Sequence, residues 1–475
     1  MPRKAHLTDA QKALLKKPPI PPKPKDFIYE SRASTTKGAK LIFRKLYPKN
    51  SRHVALVDVG TGGGKTYMAI HTIGAWKPNA HLIILTPKKQ VNAHHFEYSI
   101  QAYNEATGSR LTADVWNYEA FSESKARQNA FIKYLQLYER DHHQPLFLIA
   151  DEGHRIKEPT SNTFKFIVKM AKSLPIEGMI ILTATPGSNS LLDYQSYLIL
   201  AGYYRNKTDF ERQHVRMRDD HFQPIVKDYS GHIRLDYLRN PKQIIDEVKS
   251  IQVKIDTKHL LPPVKYHTLE FPFDKATQKQ YRQIVKNYKN GLYDSIQETI
   301  QHQIQFVATH ATQRLKVMQQ IIDNPKRPKD PVFIFYNYDI ELETLRENLP
   351  QLLPKYHIVE ANGHNNQFDI NSVKSPNTLI LAQYKAVGEG VNGAFSHLSI
   401  FFAPTFSWQD FQQARGRNVR AGQQGTVVQI RFVVPKTINA HYWYDLVDQK
   451  KRFTKKLQRY FVTGQMKDYH NLFNY

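Results

Sequence analysis

HVALVDVGTGGGKT, residues 53–66, decides how this chain is read. Val54, Ala55, Leu56, Val57 and Val59 form a short apolar, β-branched run, the composition of a strand buried on both faces. Gly60, Gly62, Gly63 and Gly64 follow, with Thr61 among them, then Lys65 and Thr66, then a helical pattern through Met68, Ala69, Ile70 and Ile73. Strand, glycine loop and helix is the context of a phosphate-binding loop. A backbone without Cβ atoms can curl its N–H groups toward phosphate oxygens, and the helix N-terminus adds partial positive charge. Residues 60–66 are therefore expected to cradle a nucleotide. Lys65 would neutralise the β- and γ-phosphates and the Thr66 hydroxyl would hold Mg²⁺. The full pattern GxxxxGK[ST] asks for glycine at position 59, where Val59 stands. A glycine-rich turn between core elements is the competing explanation, and it leaves Gly-Lys-Thr behind a buried strand unexplained.

Working outward, HLIILTPKK (81–89), DVWNYEAF (114–121), PLFLIADEGHRIK (145–157) and MIILTATPGS (179–188) read as further strands, with helical sequence between them, as over 123–140. KGAKLIFRKLY (37–47) reads as a short basic helix before the glycine loop. Strands alternating with helices predict an α/β fold with a parallel, doubly wound sheet, whose ligands sit beyond the strand C-termini. DEGH (151–154) falls at such an end. Two adjacent acids there have separate tasks: Asp151 holds Mg²⁺ and Glu152 polarises the attacking water. His154 is a candidate relay, as are Thr183 and Thr185 in the small-residue turn LTATPGS. A lone acid pair is usually a solvated turn; the apolar strand before it and the glycine loop upstream argue for function here.

Bulk composition narrows the class. A length of 475 residues predicts two or more domains, and 41% hydrophobic with 12% aromatic content suits a packed protein. No apolar run reaches the roughly 18 residues that span a bilayer, and the basic N-terminus lacks an apolar signal core. There are no cysteines, hence no disulfides and no thiolate metal site, which fits a cytoplasmic compartment. Lys and Arg number 67 against 42 Asp and Glu, a formal net charge of +25. That excess points to a polyanion, and nucleic acid is favoured over mere solubility because aromatic residues interleave with the basic ones. Most of the 27 Tyr and 25 Phe are nonetheless expected in the core.

Residues 1–25 are a basic, proline-rich arm, read as a solvated tail. Residues 202–260, with Arg205, Arg212, His214, Arg216, Arg218 and His221, read as charged surface. An extended stretch (260–273) and helical sequence (274–322) precede a second series of strands at 331–338, within 378–393 (a strand into a glycine-rich loop), 398–406 and 427–435, the last closing the sheet. WQDFQQARGRNVRAGQ (408–423) reads as a helix carrying arginines at 415, 417 and 420, and a basic helix with Lys450, Lys451, Arg452, Lys455 and Lys456 ends the chain. The expected organisation is an arm (1–25), a first lobe (26–255), a linker and helical segment (256–330) and a second lobe (331–475).

Together these motifs resemble superfamily 2 nucleic-acid-dependent ATPases, and more narrowly the Swi/Snf-like translocases. GTGGGKT resembles that superfamily's motif I, DEGH its motif II in the DExH form and LTATP its motif III. Gln413, Gly416, Arg417 and Arg420 fit QxxGRxxR, its motif VI. The narrower likeness lies in Lys385 and Ala386 with Gly388, Gly390 and Asn392, in Trp408 before the arginines and Gly422–Gln423 after them. It extends to Leu261–Pro262–Pro263 with Lys265, to Gln280 and Tyr281, and to Asn324–Pro325, covering roughly residues 50–445. The chain departs from the family in lacking a convincing adenine-reading glutamine motif before residue 53 and in having a short second lobe. The latter suggests a stripped motor, of phage or mobile-element origin.

The resemblance implies two tandem RecA-like lobes and an ATPase site shared between them. Lys65, Asp151 and Glu152 would be catalytic with Arg417 and Arg420 as arginine fingers, two residues three apart on one helical face. Gly390 and Gln413 would also contact the nucleotide. Thr86, Pro87 and Lys88 in the first lobe, and Gln383, Lys385 and Trp408 in the second, would touch nucleic acid. ATP and Mg²⁺ are the implied cofactors, and DNA is the implied partner of a monomeric motor. The implied role is a DNA translocase or helicase in replication, recombination or repair, acting with the proteins of those processes. An RNA helicase or remodeller is the alternative.

Overall fold

The computed structural model describes residues 6–448 apart from 26, 30–32, 49–51, 61–62, 185, 188–190, 216–237, 256–260, 291, 294, 363–372, 374, 388–392, 406 and 421–422. The chain divides into two compact units at residues 257/258. Each is built on one six-stranded sheet whose pairings are all parallel.

In the first unit the strands are β1 (Val54–Asp58), β2 (His81–Thr86), β3 (Thr112–Asn117), β4 (Leu146–Ala150), β5 (Ile176–Thr183) and β6 (Gln252–Lys254), in the order β3-β2-β4-β5-β1-β6. Every residue of β1, β2 and β4 is buried, as near-continuous apolar runs require in a sheet covered on both faces. Helices α1 (Asp9–Leu14), α2 (Ala33–Leu46), α3 (Lys65–Trp76), α4 (His95–Thr107), α5 (Lys125–His142) and α6 (Asn162–Ser173) surround it. Ile42 and Leu46 of α2 join Met68, Ile70 and Ile73 of α3 in the core over β1. The third strand ends at Asn117, short of the expected 121, because the Asn117 Oδ1 accepts the Ala120 N–H at 2.7 Å and starts a helical turn.

The arm is docked over its first part, residues 8–17, whereas Pro18, Pro19, Pro21, Pro22 and Pro24 are exposed, as the solvated reading expects. Thr8 and Gln11 form a capping box on α1, which packs on α5, and the Arg127 Nε donates to the Leu14 carbonyl at 3.1 Å. Lys17 lies 4.1 Å from the Trp116 ring centroid and donates to the Val115 carbonyl at 2.6 Å. Both partners belong to β3, an edge strand, so Lys17 satisfies one carbonyl of that open edge.

The second unit carries β7 (Val264–Glu270), β8 (Val332–Tyr336), β9 (His357–Ala361), β10 (Thr378–Gln383), β11 (Leu398–Phe401) and β12 (Val427–Val433), in the order β7-β12-β11-β8-β10-β9. Its helices include α7 (Lys275–Lys289), α8 (Ile296–Thr309), α9 (Thr312–Ile322), α10 (Asp339–Leu352) and α11 (Trp408–Arg415). Two expectations change. The final strand does not close the sheet, since β7 flanks it in register from Val264↔Val427 to Glu270↔Val433. The stretch read as a linker is structural, because β7 lies in that sheet and Leu315, Met318 and Ile322 of α9 enter its core. The α/β class with two tandem RecA-like lobes holds. The basic terminal helix and the core of the charged 202–260 segment fall outside the described residues.

Candidate active site

The glycine loop leaves β1 through Val59 and Gly60; Thr61 and Gly62 lie outside the described residues. The Gly63 N–H donates to the Gly60 carbonyl at 3.1 Å, and Gly64, at φ +81°, caps α3 in the left-handed region that glycine enters without strain. Lys65 is the first helical residue and is buried, its Nζ donating to the Val59 carbonyl at 3.0 Å. An ammonium has three donors, so two remain for phosphate oxygens. Thr66 follows, half-buried.

Asp151 stands at the end of β4, beside β2 in the sheet. Its N–H donates to the Leu85 carbonyl at 2.8 Å, its own carbonyl accepts the Tyr118 hydroxyl, and its Oδ2 accepts the Thr86 hydroxyl at 2.9 Å. Burial, and then the charge of Glu152, push the Asp151 carboxyl above the usual carboxylate range; Lys65 and Thr86 oppose them. Asp58, which the sequence reading passed over, closes β1 directly before the loop. Burial raises it to about 6 against the opposing Lys254, Lys65 and Gln252, whose Nε2 donates to Oδ2 at 3.0 Å. The acid at the tip of an otherwise apolar strand was its only signal.

Glu152 adopts φ 49°, ψ 53°, a left-handed conformation uncommon for a side chain of this kind. Its Oε2 lies 3.4 Å from the His154 Nδ1. Gly153 between them has a steric cause, since a Cβ there would lie 2.3 Å from the Ile181 Cγ2. Thr183 is buried at the end of β5, and its carbonyl accepts the Val59 N–H at 3.2 Å, so this strand touches the start of the glycine loop. Thr185 lies outside the described residues.

In the second unit, α11 ends at Arg415 with Gly416 as its cap, so Arg417 and Arg420 do not share a helical face as the sequence suggested. They stand on the turn beyond it. Arg417 is buried; its N–H donates to the Ala414 carbonyl at 3.1 Å and its carbonyl accepts the Gly393 N–H at 2.9 Å. A Cβ at Gly393 would lie 3.0 Å from that carbonyl, which explains glycine there. Arg420 is half-buried, with its Nε donating to the Gly416 carbonyl at 3.1 Å, and Gln413 is buried on α11. Gly388, Gly390, Asn392 and Gly422 fall outside the described residues.

The expected nucleic-acid contacts divide by burial. Lys88 and Lys385 are exposed, and Gln383 is half-buried with its Nε2 donating to the Asn337 carbonyl at 3.3 Å. Pro87 is buried. Thr86 is buried with its hydroxyl committed to Asp151, so it serves the acid rather than a nucleic acid. Trp408 is likewise a core residue, packed with Phe411 and Trp443. Among the described residues no helix is long and apolar enough to cross a membrane.

Residues 87–327 match the SNF2-related domain. The chain is 24% identical over 332 residues to an uncharacterised ATP-dependent helicase of Mycoplasma genitalium, covering 65% of this chain and 30% of that protein. An uncharacterised ATP-dependent helicase of Mycoplasma pneumoniae is 22% identical over 327 residues, covering 66% and 30%. The chain thus spans under a third of the length of these curated relatives. The solved Sulfolobus solfataricus SWI2/SNF2 ATPase core in complex with dsDNA aligns at a TM-score of 0.37 and 14% identity, over 86% of this chain and 89% of that one. The matched domain covers just over half of the chain and contains DEGH, LTATP and the strand that follows Leu261–Pro262–Pro263; this chain belongs to the SNF2-related family, within the Swi/Snf-like branch of superfamily 2.

Proposed function

We propose that this chain is a nucleic-acid-stimulated ATPase that translocates on DNA. The observation that carries the proposal is a shared position: buried Lys65, first in the helix behind the glycine loop of β1, and buried Asp151, at the end of β4, stand at the C-terminal ends of one parallel sheet with only β5 between their strands, and the lysine charge acts on the carboxyl. The donor set fits magnesium-bound ATP. Gly64 offers its N–H at the start of α3, Lys65 keeps two N–H directions beyond its bond to Val59, and Asp151 is an acid poorly compensated by positive charge. Lys65 would bind the β- and γ-phosphates, while Thr66 and Asp151 would hold the metal. When bound, that metal neutralises charge developing on the phosphates. Glu152 orients the attacking water and accepts its proton, with His154 beside it to steady the carboxylate. Arg417 and Arg420 are proposed to stabilise γ-phosphate charge during turnover, a contribution worth on the order of 10³–10⁵ in rate for such arginines. Gln413 and Gly390 would line the same nucleotide. Lys88, Lys385 and Gln383 are the proposed nucleic-acid contacts, held to phosphates.

The test is ATP hydrolysis with duplex DNA, single-stranded DNA and RNA as stimulants, run beside a triplex-displacement assay for translocation. Stimulation by DNA with displacement supports the proposal. Stimulation by RNA alone would assign the chain to RNA remodelling instead. Lys65→Ala and Glu152→Gln should each abolish the stimulated rate while leaving DNA binding in place; turnover retained in either would remove that residue from the site.

A further inference from the structure

One face of α7 carries Lys275, Lys279, Arg282 and Lys286, all exposed. At about 100° per residue these four fall within about 60° of one another. Tyr281 and Ile284, on the other side of the helix, are buried against Val307 and Val434. The stripe is therefore held in place by a packed underside. Two clefts adjoin it and share Gln278, Arg282, Lys286 and Lys436, the last on the turn after β12. The Gln278 Nε2 donates to the Lys436 carbonyl at 3.3 Å and the Tyr281 hydroxyl accepts the Ile438 N–H at 2.7 Å, so helix and turn are bonded together. Lys436 stands at φ 59°. Among the described residues no carboxylate lines either cleft. Asp274, next to Lys275, is turned to its own helix and accepts the Thr277 N–H at 2.8 Å.

We infer that this face of α7, with Lys436, is a binding surface for the phosphodiester backbone of a nucleic acid, separate from the ATPase motifs. It rests on the proposed DNA partner but not on hydrolysis. From Lys275 to Lys286 the helix rises about 16 Å, the axial length of about five phosphates on one strand, so several contacts form at once. A lipid surface is disfavoured, because among the described residues of α7 Val285 is the one large hydrophobic that is exposed, and a helix lying in a bilayer interface needs an apolar face beside its cations. The groove reads charge and spacing, not base edges, so the contact is independent of sequence.

The experiment is equilibrium binding of the full chain to fluorescent duplex DNA from 50 to 300 mM salt, without nucleotide. Lys279→Gln/Arg282→Gln/Lys286→Gln is compared with the wild type and with Lys165→Gln/Lys169→Gln/Lys172→Gln on α6, which loses the same charge elsewhere. The α7 variant should bind about ten-fold or more weakly at 100 mM salt, with a log–log salt slope shallower by about 2–3, and its hydrolysis without DNA should be unchanged. Equal slopes and affinities for wild type and α7 variant would overturn the inference, as would an equal loss in the α6 variant. So would binding of polyglutamate or of anionic vesicles that the α7 change weakens more than it weakens DNA. If the wild type binds no DNA at any salt, the proposed function fails as well, whereas an unaffected α7 variant in a DNA-binding protein removes this surface alone.

Discussion

Replacing Thr86 with valine removes one hydroxyl from a fully buried position and leaves the shape nearly unchanged. That hydroxyl donates to the Asp151 Oδ2 at 2.9 Å. A hydrogen bond to a charged acceptor contributes about 1.5–3 kcal/mol, and one to a neutral partner about 0.5–1.5. The ionised carboxylate therefore loses about 1–1.5 kcal/mol more than the protonated acid, which raises Asp151 by about one further pKa unit. Its carboxyl already sits above the unfolded value, through burial first and Glu152 second. A folded state that holds its proton more tightly is most stable below the unfolded pKa, and that stability is lost as pH rises through the folded one. The variant extends this loss to higher pH. Hydrogen exchange of peptides from β2 and β4, corrected for intrinsic rates, reads the first unit without interference from the second. The gap between wild type and Thr86→Val should be about 1 kcal/mol at pH 5 and widen to about 2–2.5 kcal/mol at pH 9. A gap constant across that range, or none, would show that the hydroxyl does not support the ionised acid.

Gly74→Ala should destabilise the first unit by about 1–3 kcal/mol in urea denaturation, even though alanine is the better helix former. Its Cβ would lie 2.2 Å from the Tyr103 ring, which is fixed by edge contacts to Tyr29 and His71. His397 donates from Nδ1 to Asp330 at 2.8 Å and from Nε2 to the Gln424 carbonyl at 2.6 Å. Burial pulls this imidazole down, but the Gln424 carbonyl and Asp330 together outweigh it and raise its pKa. The stability it adds is thus full below its unfolded pKa and lost as pH rises through the folded one, so the second unit should be less stable at pH 8.5 than at pH 6 by exchange of β11 peptides. Asp330→Asn should flatten that dependence. Glu152 holds a left-handed backbone that costs on the order of 1 kcal/mol. Glu152→Gly should therefore melt higher than Glu152→Gln, with hydrolysis lost in both, and equal melting temperatures would mean the conformation carries no strain.

The strands could be read because β1, β2 and β4 are buried on both faces, where composition and structure are the same constraint. The glycine loop and the acid pair were legible for a related reason: phosphate and metal chemistry accept few residue types at fixed spacing. Two strands were not. β6 has three residues, too few for a period, and β9 (HIVEA) mixes partly exposed positions with a charge at a sheet edge. Roles that depend on what packs nearby were also hidden. Thr86 and Trp408 sit at positions that suggested contact with nucleic acid, and tertiary packing instead turned one toward Asp151 and the other into the core of the second unit. The first part of the arm misled for the opposite reason. Prolines and lysines have a solvated composition, yet Lys17 found a tryptophan face and a strand carbonyl to satisfy it.

Among the described residues of the first unit the buried acids are Asp58 and Asp151, and burial raises both, against Lys254 and Lys65 at Asp58 and against Lys65 at Asp151. Two ammonium groups, Lys254 only half-buried, face three carboxylates once Glu152 is counted. A core selected for stability alone would drop one acid or add a further cation, since an uncompensated buried charge is costly. The imbalance persists on strand ends that all face the glycine loop, where a bound cation would remove the cost. Stability forgone in the free protein then reappears as differential affinity for a positively charged ligand, because whatever binds only the folded form stabilises it. On this argument neutralising Asp58 or Asp151 should strengthen the empty lobe and weaken its hold on a divalent ion together. A substitution that did the first without the second would separate the electrostatics of the fold from those of the site.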